Sequence, residues 1–206
     1  IQNALGKGAA PVANGNLIMV TSALPNEGKS FVSLNLAMSM AMELDCRVLL
    51  IDADVVKPSL PAVLGIHRTK GLLDVLTHRD LSFGDVLLQT NVPRLTLALS
   101  GTPHRGAYEL LASEAMTTLL EEISSRYPDR IIIFDSPPLL ATSESRVLAS
   151  HMGQVVVVVE AERTTHAALE SALSTVEACP VVLTLLNKAR QSDAGSYYGG
   201  YYGHGS

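Results

Sequence analysis

Leu17-Ile18-Met19-Val20-Thr21-Ser22-Ala23-Leu24-Pro25-Asn26-Glu27-Gly28-Lys29-Ser30 is the stretch that decides how this chain folds. Its first four residues form a short apolar run that stops at turn formers, the pattern of a buried strand. From Ser30 the apolar residues Phe31, Leu34, Met38, Ala41 and Met42 recur at helical spacing, and the pattern ends before Arg47-Val48-Leu49-Leu50-Ile51. The segment therefore reads strand, loop, helix, strand. A loop of this composition between a buried strand and a helix start is a phosphate-binding loop. Its backbone N–H groups and the helix N-terminus surround phosphates, Lys29 reaches the terminal ones, and the Ser30 hydroxyl can ligate magnesium. Pro25, Asn26, Glu27, Gly28, Lys29, Ser30 and Phe31 are the expected nucleotide contacts. One departure is visible: the first glycine of the common pattern is Ala23, which tolerates fewer backbone conformations.

Outward from this stretch the alternation continues. Apolar runs at Leu95 to Leu99, Ile131 to Phe134, Val155 to Val159 and Val181 to Leu186 are separated by helical stretches around 71–78, 113–126, 143–151 and 164–178. Strands that are apolar at every position need cover on both faces, and alternation with helices makes them parallel. The expected class is α/β, a parallel sheet flanked by helices on both faces. With 206 residues, 47% hydrophobic and 17% charged, the chain suffices for one domain around a single core and is too apolar to be disordered. No apolar run approaches the roughly 20 residues of a membrane span, so direct membrane insertion is not expected. A net charge of -5 offers no basic field for a phosphate backbone, which sets nucleic acid aside as a partner. Cys46 and Cys179 show no Cys-x-x-Cys spacing and read as core thiols of a reducing cytoplasm. The chain opens on Ile1 without a signal-peptide pattern, so a processed chain with further sequence upstream is expected. The expected division is a flexible lead at 1–16, a folded domain at 17–189 and a mobile tail at 190–206.

The acidic residues follow the strands. Val48-Leu49-Leu50-Ile51 delivers Asp52-Ala53-Asp54 to the carboxyl end of the sheet, the edge at which open α/β sheets bind ligands. Ile131-Ile132-Ile133-Phe134 delivers Asp135 ahead of Ser136-Pro137-Pro138, where the acidic residue that holds a nucleotide's magnesium is expected. Three carboxylates beside one phosphate site are costly without a cation, so ATP with Mg2+ is the expected ligand pair. After Asn187-Lys188 the composition changes to Gly, Ser and Tyr, with Tyr197, Tyr198, Tyr201 and Tyr202 in one run. Met38, Met40 and Met42 read as gap fillers or surface residues of a helix. His104-Arg105 reads as a solvated loop pair.

Together these features resemble the bacterial tyrosine kinases of exopolysaccharide synthesis, nearest to those of exosortase-associated loci. That pattern joins a Walker A loop, a second Asp-x-Asp, an Asp-x-Pro-Pro and a C-terminal tyrosine cluster, and the resemblance runs from about Asn16 to the end. Tyr108-Glu109-Leu110-Leu111-Ala112-Ser113 is similar to a further stretch of the same family. The resemblance implies a P-loop NTPase fold and ATP-dependent autophosphorylation of Tyr197, Tyr198, Tyr201 and Tyr202 between subunits of a homo-oligomer, in some members a ring. It also implies a transmembrane polysaccharide co-polymerase as partner, hence a cytoplasmic position at the inner face of the membrane. By residue it implies Lys29, Asp52 and Asp54 as catalytic, Ser30, Asp54 and Asp135 on magnesium, and Asn187 at the adenine; Asp52 is the expected base, with an exchange of roles between Asp52 and Asp54 as the alternative.

Reach supports transfer between subunits, because the nine residues from Lys188 to Tyr197 span at most roughly 30 Å. The chain also departs from the pattern. Val56 with Lys57 stands where many members carry arginine, and no Glu-x-x-Arg-x-x-Arg helix precedes the first strand. Septum-positioning and partitioning ATPases share this architecture, but they carry a signature lysine where this chain has Leu24. A partitioning-type ATPase and a non-catalytic ATP-binding scaffold of an exporter are the alternative functions.

Overall fold

A computed structural model describes residues 12–43 and 46–190. The first strand, β1 (Leu17–Ser22), is followed by the loop and helix α1 (Lys29–Ala41). Then come β2 (Arg47–Asp52), α2 (Leu60–Leu64), α3 (Leu72–Thr77), a 3-10 turn at Phe83–Val86, β3 (Leu87–Gln89) and β4 (Leu95–Ala98). The second half holds α4 (Ala107–Leu111), α5 (Glu114–Arg126), β5 (Arg130–Asp135), α6 (Glu144–Ser150), β6 (Gln154–Glu160), α7 (His166–Ser174) and β7 (Val181–Asn187).

Among the described residues, seven strands form one sheet in the order β3-β4-β2-β5-β1-β6-β7. All neighbours are parallel except β3, which runs antiparallel to β4. Side chains alternate faces along a strand, so each apolar run feeds two cores. Leu17, Met19, Leu49, Ile51, Ile132, Phe134, Val155 and Val157 face a layer built from α3 to α7. Ile18, Val20, Val48, Leu50, Ile131, Ile133, Val156 and Val158 face α1 and α2. The α/β class with helices on both faces is thus as expected, and the physical cause is the uninterrupted apolar strand that only two-sided cover can bury.

Several features differ from expectation. The short β3, the helices α2 and α4 and the 3-10 turn are too brief to give a periodic signal. β7 reads as a buried strand, but it lies at the sheet edge with Leu183, Leu185 and Leu186 exposed. Residues 12–16, assigned above to a flexible lead, form a turn joined to the domain. Leu17 N donates to Asn14 O (2.8 Å), Gln154 Nε2 to Gly15 O (2.6 Å) and Ile132 N to Asn16 O (2.8 Å). Both cysteines are buried and free. No helix among the described residues is long and apolar enough to cross a membrane.

Candidate functional site

The phosphate loop runs from the end of β1 to the start of α1. Two of its residues adopt positive φ, Asn26 at 68° and Gly28 at 96°, which turns successive backbone N–H groups toward one side. Gly28 is needed for two reasons. Its φ lies in the left-handed region, and a Cβ there would strike Asn187 Nδ2.

The loop is held from below by residues distant in sequence. Glu27 is buried, and its carboxylate accepts from Leu24 N (2.8 Å) and from the Thr164 hydroxyl. Asn187 Nδ2, at the end of β7, donates to Glu27 O (3.0 Å). Lys188 Nζ donates to Asn26 O (2.7 Å) and pairs with Glu160 at 3.1 Å. These contacts give Glu27 and Asn187 a supporting position under the loop. Thr164, Glu160 and Lys188 carried no sequence signal for this, because nothing local marks a residue that meets a loop more than 130 positions away.

Strand order explains the carboxylates. β2 and β5 are neighbours in register Asp52↔Asp135, and β1 flanks β5, so all three strands end beside the loop. Lys29 Nζ lies 2.7 Å from Asp54 Oδ2, with side-chain exposures of 11% and 5%. Ser33 Oγ donates to Asp135 Oδ1 (3.1 Å), and the Ser30 hydroxyl also faces that carboxylate. Both Asp52 oxygens and Asp135 Oδ2 are buried without a hydrogen-bond partner among the described residues.

Burial, followed by the charges of Asp135 and Asp54, pushes Asp52 up to about 8, against partial relief from the Asp54 backbone and Lys29. Burial also raises Asp135 to about 6, opposed by Ser30, Lys29 and Ser33. Ser30 with Asp135 therefore offers a hard, oxygen-only donor set with an unsatisfied carboxylate oxygen, which fits magnesium held jointly with nucleotide phosphates. No three His, Cys, Asp or Glu side chains among the described residues enclose a metal alone. Water or phosphate oxygens would complete the shell of a cation held here.

Above these groups opens a cleft of about 300 Å³. Pro25, Asn26, Gly28, Lys29, Ser30, Phe31 and Asp54 line it, all foreseen from the sequence. Lys57, Ser59, Tyr108, Pro138 and Ala141 complete the wall. Of these, Tyr108 stood in the quoted family stretch and Lys57 beside the displaced arginine position. Asp52 is wholly buried and sits behind Asp54, off the wall. Tyr197, Tyr198, Tyr201 and Tyr202 lie outside the described residues. Because Asn187 and Lys188 touch the loop, the tail's root stands at the site. The length argument for transfer between subunits therefore loses its force.

The AAA domain family matches residues 17–187. The tyrosine-protein kinase ptk of Acinetobacter johnsonii is 34% identical over 89% of this chain, which spans 25% of that protein. The tyrosine-protein kinase YwqD of Bacillus subtilis is 32% identical over 90% of this chain and 77% of its own length. The crystal structure of the VpsO kinase domain superposes with a TM-score of 0.76 at 32% identity, covering 84% of this chain and 85% of that one.

Proposed function

Because this chain belongs to the bacterial tyrosine-protein kinases of the AAA domain family, we propose that it transfers the terminal phosphoryl group of ATP to tyrosine hydroxyls, its own C-terminal cluster first. The observation that carries this reading is the buried Lys29–Asp54 pair, set beside two further carboxylates under a phosphate loop. Binding phosphates would draw Lys29 toward them and free Asp54 at the cleft wall. Ser30 and Asp135, with Asp54 once released, would hold magnesium, which when bound neutralises charge on the transferred group.

Asp52 is the proposed base, since a carboxyl whose pKa is near neutrality can take the proton of an attacking hydroxyl. That role requires the hydroxyl, or a water, to reach past Asp54. Asn187 lies against the loop where an adenine contact is proposed. The acceptors proposed are Tyr197, Tyr198, Tyr201 and Tyr202 of a second copy in a homo-oligomer, regulating exopolysaccharide synthesis or export. A transmembrane polysaccharide co-polymerase is the proposed partner at the inner face of the cell membrane.

Phosphotyrosine mass measurement on the parent and on Lys29→Met tests the reading. Phosphate on the parent's tail and none on the variant is expected. A parent that hydrolyses ATP without phosphotyrosine would make it a partitioning-type ATPase, and one that only binds ATP would make it a scaffold. Mixing Lys29→Met bearing an intact tail with an active chain whose four tail tyrosines are Phe tests the route. Phosphate missing from the inactive chain would rule out transfer between subunits.

A further inference from the structure

Strand order gives the phosphate loop two unlike sides. The loop rises from β1, with β7 two strands away on one side and β2 two strands away on the other. Asn187, at the end of β7, reaches the loop from the first side and donates to Glu27 O. The cleft opens on the second side, between the loop and Asp54, which follows β2. A nucleotide whose base lies at Asn187 therefore turns its terminal phosphate toward Asp54. In phosphoryl transfer the attacking and leaving oxygens stand roughly in line on opposite sides of phosphorus. The cleft is thus the entrance for the acceptor, and its wall meets the acceptor's side chain.

The floor of the cleft is charged and shielded, with the side chains of Lys29 and Asp54 only 11% and 5% exposed. Away from the loop the wall includes Tyr108 from α4 and Pro138 and Ala141 from the segment between β5 and α6. That segment is fixed. Ala141 N donates to Pro138 O (3.1 Å), closing a turn, while Leu139 N donates to Ser22 O (2.8 Å) and Leu140 N to Ala23 O (3.3 Å), which ties the turn to the root of the phosphate loop. Tyr108 stands in the first turn of α4, a helix anchored by buried Ala107 and Leu111 and packed on α6. Its ring is half-buried and rests against the core. Burial, then the charges of Asp54 and Glu144, raises its phenol above the ordinary tyrosine value, so at neutral pH Tyr108 is an uncharged ring and not a base.

Resting on the kinase reading, we propose that Tyr108, Pro138 and Ala141 form an acceptor subsite that holds the ring of the incoming tyrosine and makes the cleft selective for a phenolic over an alcoholic hydroxyl. Aromatic rings pair with one another in offset or edge-to-face contact and bury large apolar area. A serine hydroxyl, one carbon from its backbone, does not reach a floor this shielded, whereas a tyrosine carries its hydroxyl beyond the length of the ring. The cleft's volume of about 300 Å³ stands at the lower bound of small-molecule pockets, which suits one side chain beside a phosphate and leaves no room for a nucleoside as well. In the transfer the phenolic oxygen bonds to the terminal phosphorus of ATP, the bond from that phosphorus to its bridging oxygen breaks to leave ADP, and the phenol's proton passes to the carboxylate base, Asp52 in the role proposed above. Tyr108 holds the acceptor and takes no part in the proton or phosphoryl step.

The test is initial-rate kinetics with the full chain, its four tail tyrosines changed to Phe, using ATP, magnesium and a synthetic peptide of residues 195–203 as acceptor. Tyr108→Ala should raise KM for the peptide about tenfold and leave KM for ATP within about twofold. Tyr108→Phe should restore the peptide KM, since the ring and not its hydroxyl makes the contact. Ala141→Phe should fill the subsite and raise the peptide KM at least about tenfold, and because Ala141 is exposed this replacement leaves folding intact. The peptide with Ser at its four tyrosine positions should gain no phosphate. Unchanged peptide KM in both Tyr108→Ala and Ala141→Phe, or equal transfer to the serine peptide, overturns the subsite while the kinase reading stands. So does a rise in KM for ATP alone in Tyr108→Ala, which would put the nucleoside in the cleft. A parent that binds ATP and phosphorylates no peptide overturns both.

Discussion

Replacing Asp52 by Asn should stabilise the nucleotide-free protein while abolishing its proposed catalysis. Asp52 is wholly buried, neither oxygen has a hydrogen-bond partner among the described residues, and Asp135 and Asp54 stand beside it. Its carboxyl is raised from 3.8 to about 8 on folding. For a group raised in this way the folded state keeps its proton longer than the unfolded state does. The stability it allows is complete below about pH 4, falls by roughly 1.4 kcal/mol per pH unit, and levels off above about pH 8. At pH 7 the accumulated loss is on the order of 4 kcal/mol, equivalent to roughly 10 °C in melting temperature for a chain of this size.

Asp135, raised to about 6, adds a loss of the same sign below that pH, so the window between 6 and 8 belongs to Asp52. An uncharged amide of the same shape has no proton to lose. Its unpaired polar atoms resemble those of the protonated acid already there. The assay is thermal unfolding from pH 5 to 9 without metal or nucleotide, for parent and Asp52→Asn. The parent should lose stability between pH 6 and 8 and the variant should not. Parallel curves across that window would refute the reasoning, because the charge of Asp52 would then carry no folding penalty.

Lys29→Met should destabilise the nucleotide-free chain by about 3 kcal/mol at pH 7, because it strands the Asp54 carboxylate in a buried position. Differential scanning calorimetry at pH 7 checks this, and an unchanged melting temperature contradicts it. Gly28→Ala should cost about 1–3 kcal/mol through its φ of 96° and the clash with Asn187 Nδ2. Adding Asn187→Ala should recover only the clash, which a double-mutant cycle measures. Lys188→Ala should raise KM for ATP a few-fold with kcat nearly unchanged, and Lys188→Arg should restore it. Initial-rate kinetics that show a fall in kcat alone would remove Lys188 from the support of the loop.

Local sequence determined most of the nucleotide site. The loop from Pro25 to Ser30 is contiguous, its chemistry is written in neighbouring residues, and uninterrupted apolar strands demanded helices on both faces of a parallel sheet. Asp52, Asp54 and Asp135 were legible because each follows such a strand, and parallel strands end on one edge. Only the tertiary structure decided what depends on strand order and on contacts between distant segments. It put β7 at an exposed edge although its run is as apolar as that of a buried strand, since hydrophobicity does not specify a strand's place in the order. It brought Glu160, Thr164, Asn187 and Lys188 under the loop and so placed the tail's root at the site. It separated Asp54 on the cleft wall from Asp52 off it, because Asp52 is the last residue of β2 whereas Asp54 lies in the loop beyond, where the strand's alternation no longer holds. And it brought Tyr108 to the same wall of the cleft as Pro138 and Ala141, a proximity set by the packing of α4 on α6 and invisible in any local window of the chain.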